Sequence, residues 1–423
     1  MQTIEKTALF LSKKSWIFFT LGLIFIFLAN VGLEYKNFLE IKKYKNHKTT
    51  ATVINQYEKI NKRGTKYTVL QLKNSDFSFY TSTYEDLKPI TGRDVALTLI
   101  ISELTFFDYL GSFYAPSFYI SLLPKKESLR QNLINYIENQ HSDNLTKNLF
   151  SALFFATMPS KDLRDKISNF GISHLIALSG YHLGFLGGII FFILTPLYIF
   201  FQKRYFPYRN RYFDLSFISA LILLFYLLIT DIPPSLLRAY VMMIIALFFA
   251  LRWMDVFSFF TLYIAVFLII SIAPSFLLSI SFWFSVSGVF YIYLFLHHFK
   301  KMHPFLIFVF LNIFVFIAMM PIVHFIFEKF TFLQLTSPIL TVLFSIFYPI
   351  EIVLHIVGYG WLLDDFIVKF LSLEVMEYKV YSPLWFLIFY IIYSLASIFN
   401  KKIFFSFIGL TVLFFSYAIY SVV

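Results

Sequence analysis

The stretch Ile172-Ser-His-Leu-Ile-Ala-Leu-Ser-Gly-Tyr-His-Leu-Gly-Phe-Leu-Gly-Gly-Ile-Ile-Phe-Phe-Ile-Leu-Thr-Pro-Leu-Tyr-Ile-Phe-Phe201 decides the fold class. It runs without a single Asp, Glu, Lys or Arg, and about 20 such residues suffice to cross hydrocarbon as a helix. Working outward, similar apolar runs occupy roughly 16–33, 214–230, 234–251, 256–273, 275–296, 304–328, 383–399 and 403–422. Composition agrees. Of 423 residues, 59% are hydrophobic, 22% aromatic and only 14% charged, with mean hydropathy +0.73. A soluble domain averages about half apolar and a quarter charged. Disorder, a disulfide scaffold and a purely soluble enzyme are excluded, and with 0 Cys there is no thiolate nucleophile or Cys-held metal. The expected fold is a polytopic α-helical membrane protein of about nine to eleven spans.

The first run reads as an anchor, because Asn30-Val31-Gly32 is a poor cleavage site for a signal peptide. A polar stretch follows, and its first part reads as β. Thr49–Glu58, Thr65–Lys73, Phe77–Thr81 and Val95–Ile100 are rich in Thr, Val, Tyr and Phe. Asn61-Lys62-Arg63-Gly64, Asn74-Ser75-Asp76 and Thr91-Gly92-Arg93 separate them with turn chemistry. Four or five short strands suit a small β-barrel of the OB type. Residues 126–170 read as short amphipathic helices, with N-caps at Ser142-Asp143-Asn144 and Ser160-Lys161-Asp162. The expected domains are thus 1–33 (cytoplasmic N-terminus and anchor), 34–124 (OB-like), 125–170 (helical linker) and 171–423 (membrane core).

Loop charge predicts orientation. Lys6, Lys13 and Lys14, then Lys203, Arg204, Arg209 and Arg211, then Arg252, Lys300 and Lys301, and finally Lys401 and Lys402 mark cytoplasmic sites. The walk through the spans requires 329–382 to cross an even number of times, as a hairpin of two spans or as a dip and return. It also places the β-domain outside the cytoplasm. There, residues 42–100 hold 11 Lys/Arg against 5 Asp/Glu, net +6. Two readings are open: a solvated lysine-rich surface, or a polyanion site. For the second, Lys59, Lys62, Arg63, Lys66 and Lys73 interleave with Tyr57, Tyr67, Phe77, Phe79 and Tyr80. Cations beside stacking aromatics are how OB-folds hold single strands.

Inside the membrane, His174, Ser179, Gly180 and His182 are polar or small at a helix entrance, and His174 and His182 are spaced to share a helix face. The glycines at 180, 184, 187 and 188 also suit close helix packing. Asp231, Pro234, Ser235 and Arg238 form a second group, in which Arg238 needs a partner, either Asp231 or an oxygen of the 172–188 segment. A serine stripe that includes Ser281 and Ser285 forms a third, which interhelical hydrogen bonding explains. No Walker-type nucleotide motif or His-based metal motif occurs.

In this order, the motifs resemble those of the ComEC competence family, the membrane channels of natural transformation. Gly171–Gly188 is similar to the family's G-x-x-H-L-x-A-x-S-G-x-H signature, and Pro234, Ser235, Arg238 and Ala239 match its P-S-x-x-R-A element. Arg252 and Asp255 match a following R-x-x-D, Ala273-Pro274 with Ser279–Ser285 matches a later element, and Leu335–Pro349 resembles its broken helices. The resemblance implies import of single-stranded DNA across the bacterial cytoplasmic (inner) membrane, with membrane lipid around the spans. The outer domain would engage DNA, and a polar path would be lined by residues such as His174, Ser179, His182 and Arg238. A periplasmic DNA receptor and a cytoplasmic helicase-like ATPase are the implied partners. Many members add a metallo-β-lactamase-like domain. These 423 residues contain no metal-ligand cluster, so a short form without nuclease activity, cofactor or metal is expected. Two other classes stay open: an intramembrane serine hydrolase using Ser179 with a distant His324 or His355, and a transporter or polymerase of lipid-linked glycan.

Overall fold

The computed structural model describes residues 13–43, 45–74, 77–85, 90–101, 104–124, 128–251 and 258–421. Lys6, Arg252 and Asp255 lie outside the described residues.

Helix α1 (Lys13–Lys42) has 30 residues, about 45 Å at 1.5 Å per residue. That exceeds the ~30 Å of hydrocarbon. Its far end enters a sheet domain, where Phe38 and Ile41 share a core with Val53, Leu70, Leu72 and Phe79.

The sheet contains β1 (Asn46–Ile60), β2 (Lys66–Lys73), β3 (Ser78–Thr83), β4 (Asp94–Ile100), β5 (Ser112–Tyr114) and β6 (Ser117–Leu122), with α2 (Phe106–Leu110) before β5. The strand order is β5-β3-β2-β1-β4-β6. The pairings are antiparallel except β3 with β5. Val95, Leu97 and Leu99 all face the core, as their alternation predicts. In the β1–β2 turn, the Asn61 side chain accepts from the Arg63 and Thr65 amides and Gly64 takes φ +79°. The sheet bends so that its two edge strands follow each other through Ala115-Pro116, and the Thr81 hydroxyl donates to Ser117 at 2.7 Å. Among the described residues no ladder joins β5 to β6. The expected closed barrel is therefore met as a small six-stranded sheet.

A helical layer follows: α3 (Leu129–Glu138), α4 (Asn144–Phe155), α5 (Lys161–Asn169) and α6 (Ser173–Ile176). Asp143 and Ser160 cap α4 and α5, each accepting a backbone N–H at the helix start.

The rest is a bundle of α7 (Gly180–Tyr205), α8 (Arg211–Ile229), α9 (Pro234–Leu251), α10 (Phe259–Ile272), α11 (Ile280–His298), α12 (Pro304–Ile326), α13 (Ser337–Val357), α14 (Asp364–Leu371), α15 (Leu384–Ala396) and α16 (Lys401–Tyr420). Among the described residues, seven segments are long and apolar enough to cross a membrane, and three shorter apolar helices join them. Large apolar side chains such as Phe192, Phe200 and Leu413 point outward, as lipid allows and water does not. The membrane part of α1 rests on α10: the Thr20 and Tyr263 hydroxyls meet at 3.0 Å, and the Asn30 amide donates to the Ser271 carbonyl at 2.8 Å.

The segment 329–382 starts and ends at one place, because β7 (Lys329–Phe330) pairs with β8 (Tyr378–Lys379). Both ends of α13 touch the helical layer or the turn that ends it. Ser337 donates to the Gly171 carbonyl at 3.0 Å, and Tyr136 donates to the His355 carbonyl at 3.2 Å. The eight residues of α14 reach only about 12 Å. The segment is therefore not a hairpin of two full spans.

Candidate functional site

The sheet carries an open cleft of about 550 Å³ lined by Tyr57, Lys59, Asn61, Tyr67, Val69, Tyr80, Ser82, Tyr84, Ser112 and Tyr114. Strands β1, β2, β3 and β5 contribute alternate residues, so five tyrosines share one face. The Tyr67 and Tyr84 rings lie 5.9 Å apart, the Lys59 ammonium sits 5.6 Å over the Tyr57 ring, and the Ser82 and Tyr114 hydroxyls meet at 2.7 Å. Burial pushes the Tyr80 phenol above its ordinary value, with the nearby Tyr57 adding to the rise. The ring is neutral at physiological pH.

Of the residues expected there, Tyr57, Lys59, Tyr67 and Tyr80 line the cleft. Lys62 and Arg63 stand exposed in the turn beside it. Lys66 alternates to the opposite side of β2 and pairs with Glu58 at 3.8 Å. Lys73 is exposed at the far end of β2, outside the lining. Phe77 and Phe79 are core residues rather than a platform, at 6% and 0% exposure. Tyr114 was missed because three residues, Ser112–Tyr114, are too short a strand to show a period.

The second place is in the bundle. His174 and His182 do not share a face, because the chain breaks between α6 and α7 at Ala177–Ser179. His174 is exposed, with Nδ1 3.1 Å from the Gly171 carbonyl and Nε2 3.4 Å from Thr341 Oγ1. His182 is buried at 1% exposure. Its Nδ1 takes the Ser179 backbone N–H at 3.1 Å and lies 3.1 Å from Ser179 Oγ. An accepting Nδ1 leaves the ring proton on Nε2, and His182 Nε2 is buried without a partner. Tyr348 of α13 closes over the ring at 4.6 Å between centroids.

Arg238 is 4% exposed beside this point. A Cβ on Gly180 would lie 3.5 Å from Ala239 and 3.8 Å from an Arg238 guanidinium nitrogen, ordinary contact distances that place this turn of α7 against α9. Gly187 also faces a neighbour, Leu223, whereas Gly184 and Gly188 face open space. Arg238 Nε donates to Ser285 Oγ at 2.7 Å and its Nη1 meets the Met242 sulfur at 2.9 Å. Asp231 is not its partner: Asp231 pairs with Arg130 of α3 at 2.6 Å. That pair ties the helical layer to the α8–α9 turn, where Asp231 and Ile232 both take positive φ. Ser235, in the first turn of α9 after Pro234, donates to the Leu178 carbonyl at 2.5 Å. Ser281 is exposed and stands apart. The serine, histidine and arginine thus converge where α7, α9 and α11 meet, around a guanidinium with neutral partners.

The imidazole beside Ser179 is that of His182, not of the distant histidines. His324 Nδ1 faces the Phe327 carbonyl at 3.2 Å, and His355 belongs to another cluster.

That cluster corresponds to no motif recognised in the sequence. His141 Nδ1 lies 2.8 Å from Asp364 Oδ1, its Nε2 lies 3.0 Å from His355 Nε2, and His355 Nδ1 lies 2.7 Å from the Glu351 carbonyl. All four residues are buried. Burial lowers the His141 pKa below the ordinary imidazole value, against the raising pull of Asp364. Among the described residues no group of three His, Asp or Glu is placed to hold a metal ion.

The fold and these sites define a multi-pass membrane protein with a polar convergence inside its bundle and an aromatic cleft on an attached sheet. The competence protein family matches over residues 157–422, and the chain belongs to that family. Membership gives it a role in DNA uptake during competence. No curated protein and no solved structure matches the chain.

Proposed function

We propose that the chain is the channel by which single-stranded DNA enters across the bacterial cytoplasmic membrane. The N-terminus and basic turns face the cytoplasm, and the sheet domain faces outward. The tyrosine cleft carries this reading. Five ring faces and Lys59 on one sheet surface offer stacking to unpaired bases and a charge to the backbone, a combination that a base-paired duplex cannot exploit. An OB-like reading of the sheet fits the antiparallel β1-β2-β3 series, the parallel β3–β5 pair and the consecutive edge strands. Beyond it, the buried His182 ring and Arg238 guanidinium are polar groups that a path opening between α7, α9 and α11 would uncover to phosphates. Gly171, Ser179, Gly180, Asp231, Pro234, Ser235 and Ser285 shape this region. Transport draws on a cytoplasmic helicase-like ATPase, and a periplasmic receptor delivers the DNA. The chain itself acts without nuclease chemistry.

The test is a strain lacking this gene, supplied with labelled DNA. DNA reaches the cell surface but no label becomes protected in the cytoplasm, and no transformants arise. Normal transformation of that strain refutes the reading.

A further inference from the structure

The cluster at the end of α13 has a definite proton count. Three contacts run in series: Asp364 to His141 Nδ1 at 2.8 Å, His141 Nε2 to His355 Nε2 at 3.0 Å, and His355 Nδ1 to the Glu351 carbonyl at 2.7 Å. A carbonyl can only accept, so His355 Nδ1 carries a proton. Each remaining contact also needs one. If Asp364 is ionised, His141 Nδ1–H donates to it and one more proton lies between the two Nε2 atoms. If Asp364 is protonated, it donates to His141 Nδ1 and His141 donates onward to His355. Counting Asp364, His141 and His355, both arrangements hold three protons and sum to zero charge; the buried Glu351 carboxylate 3.3 Å from His355 Nδ1 stands outside this count.

Separated in water above the ordinary imidazole range of about 6.5, the same groups hold only two protons: an ionised Asp and two neutral imidazoles. Assembly of the cluster therefore takes up one proton from solution. The three residues come from different places: the α3–α4 turn, the end of α13 and the start of α14. Around them, the Gln140 amide donates to the His355 carbonyl at 3.1 Å, the Gly360 N–H donates to Gln140 at 3.0 Å, and Phe150 stacks on His141 with centroids 4.7 Å apart.

We propose that this chain of hydrogen bonds is a proton-closed clasp, binding one proton as it fastens the α3–α4 hairpin to α13 and α14 and releasing it when they part. The sign follows from the count. The closed state holds the extra proton, so closure is favoured at low pH and weakens as pH rises above the imidazole range, by a factor of about ten per pH unit. The other charged or titratable groups facing it are Glu351 itself, whose carboxylate lies 3.3 Å from His355 Nδ1, Lys147 of α4, whose charge acts on His141, Glu138 of α3, which accepts from Ser151, and Tyr136 of α3, which donates to the His355 carbonyl. The clasp is independent of what the channel carries.

The test uses the full chain in detergent micelles. With 0 native Cys, an Ala152→Cys variant has a single thiol on α4. Ala152 is buried in the core that α4 shares with Tyr348, Ile367 and Leu371. Its maleimide labelling rate is divided at each pH by that of Tyr208→Cys, a fully exposed position (96%), which cancels the thiolate fraction. The expected ratio rises about tenfold per unit from pH 7 to 9. Adding Asp364→Asn removes the slope, because an amide N–H donates to His141 without taking up a proton. His355→Gln does the same by donating to His141 Nε2, and Glu351→Gln keeps it. Backbone hydrogen exchange of α4 in the unsubstituted chain, corrected for intrinsic rate, reads the same slope without a thiol. A flat ratio in the parent, or an equal slope in Asp364→Asn, overturns the clasp.

Discussion

Truncating two rings of the sheet cleft separates stacking from charge. Tyr67 and Tyr84 face each other at 5.9 Å, and Tyr84 is 69% exposed, so neither holds the sheet core. Stacking of a base on such a ring contributes about 1–3 kcal/mol. At 1.4 kcal/mol per decade, losing one stacked base weakens binding about 5- to 150-fold. The Tyr67→Ala, Tyr84→Ala double variant is therefore expected to raise the Kd for a fluorescent oligo-dT by at least about tenfold. Its salt slope stays unchanged, since no phosphate contact is lost. Lys59→Gln does the opposite. It weakens binding modestly and lowers the slope of log K against log salt by about 0.7, one phosphate's share on a single strand. Lys66→Gln changes neither, because Lys66 faces away and pairs with Glu58. Fluorescence anisotropy on the full chain between about 50 and 200 mM salt measures both quantities. A double tyrosine variant within twofold of the parent, or a Lys66→Gln slope change equal to that of Lys59→Gln, refutes the assignment of the cleft.

Arg238→Met removes a buried charge that bonds Ser285 and Met242 and has no carboxylate partner among the described residues. Thermal stability is expected to hold or rise by up to about 1–4 kcal/mol, while DNA import is lost; a lowered melting midpoint would show the arginine to be structural. Ser179→Ala costs about 0.5–2 kcal/mol as a weakened helix start but leaves import within a few-fold, whereas a hydrolase would lose all activity. Gly171→Ala forces a side chain into φ +66° with its Cβ 3.4 Å from Gln334, which lowers stability by about 1–2 kcal/mol on backbone grounds alone. Denaturation followed by the near-ultraviolet signal checks this.

Much of the architecture was written locally. Apolar run length located the spans, period-2 patterning found β1 to β4, and Asp143 and Ser160 marked helix starts because capping is a contact within three residues. What failed was long-range or interrupted. The His174–His182 spacing assumed an unbroken helix, and the break at Ala177 reoriented one ring. Asp231 was nearest in sequence to Arg238, yet Arg130 reached it from α3. The His141–His355 contact joins residues 214 apart, and a lone histidine between two short helices gives no hint of it. The available signal was the cost of placing Glu351, His355 and Asp364 in an otherwise apolar stretch.

The single helix α1 has a mechanical consequence. Its first turns lie against α10, and its last are built into the sheet's own core through Phe38 and Ile41. No flexible tether separates the two over Lys13–Lys42. On the function proposed above, a strand held in the tyrosine cleft and drawn inward would pull on a stiff mast stepped into the bundle, not on a swinging line. The cleft would then keep a fixed heading towards the helices, and any slack would lie in the strand.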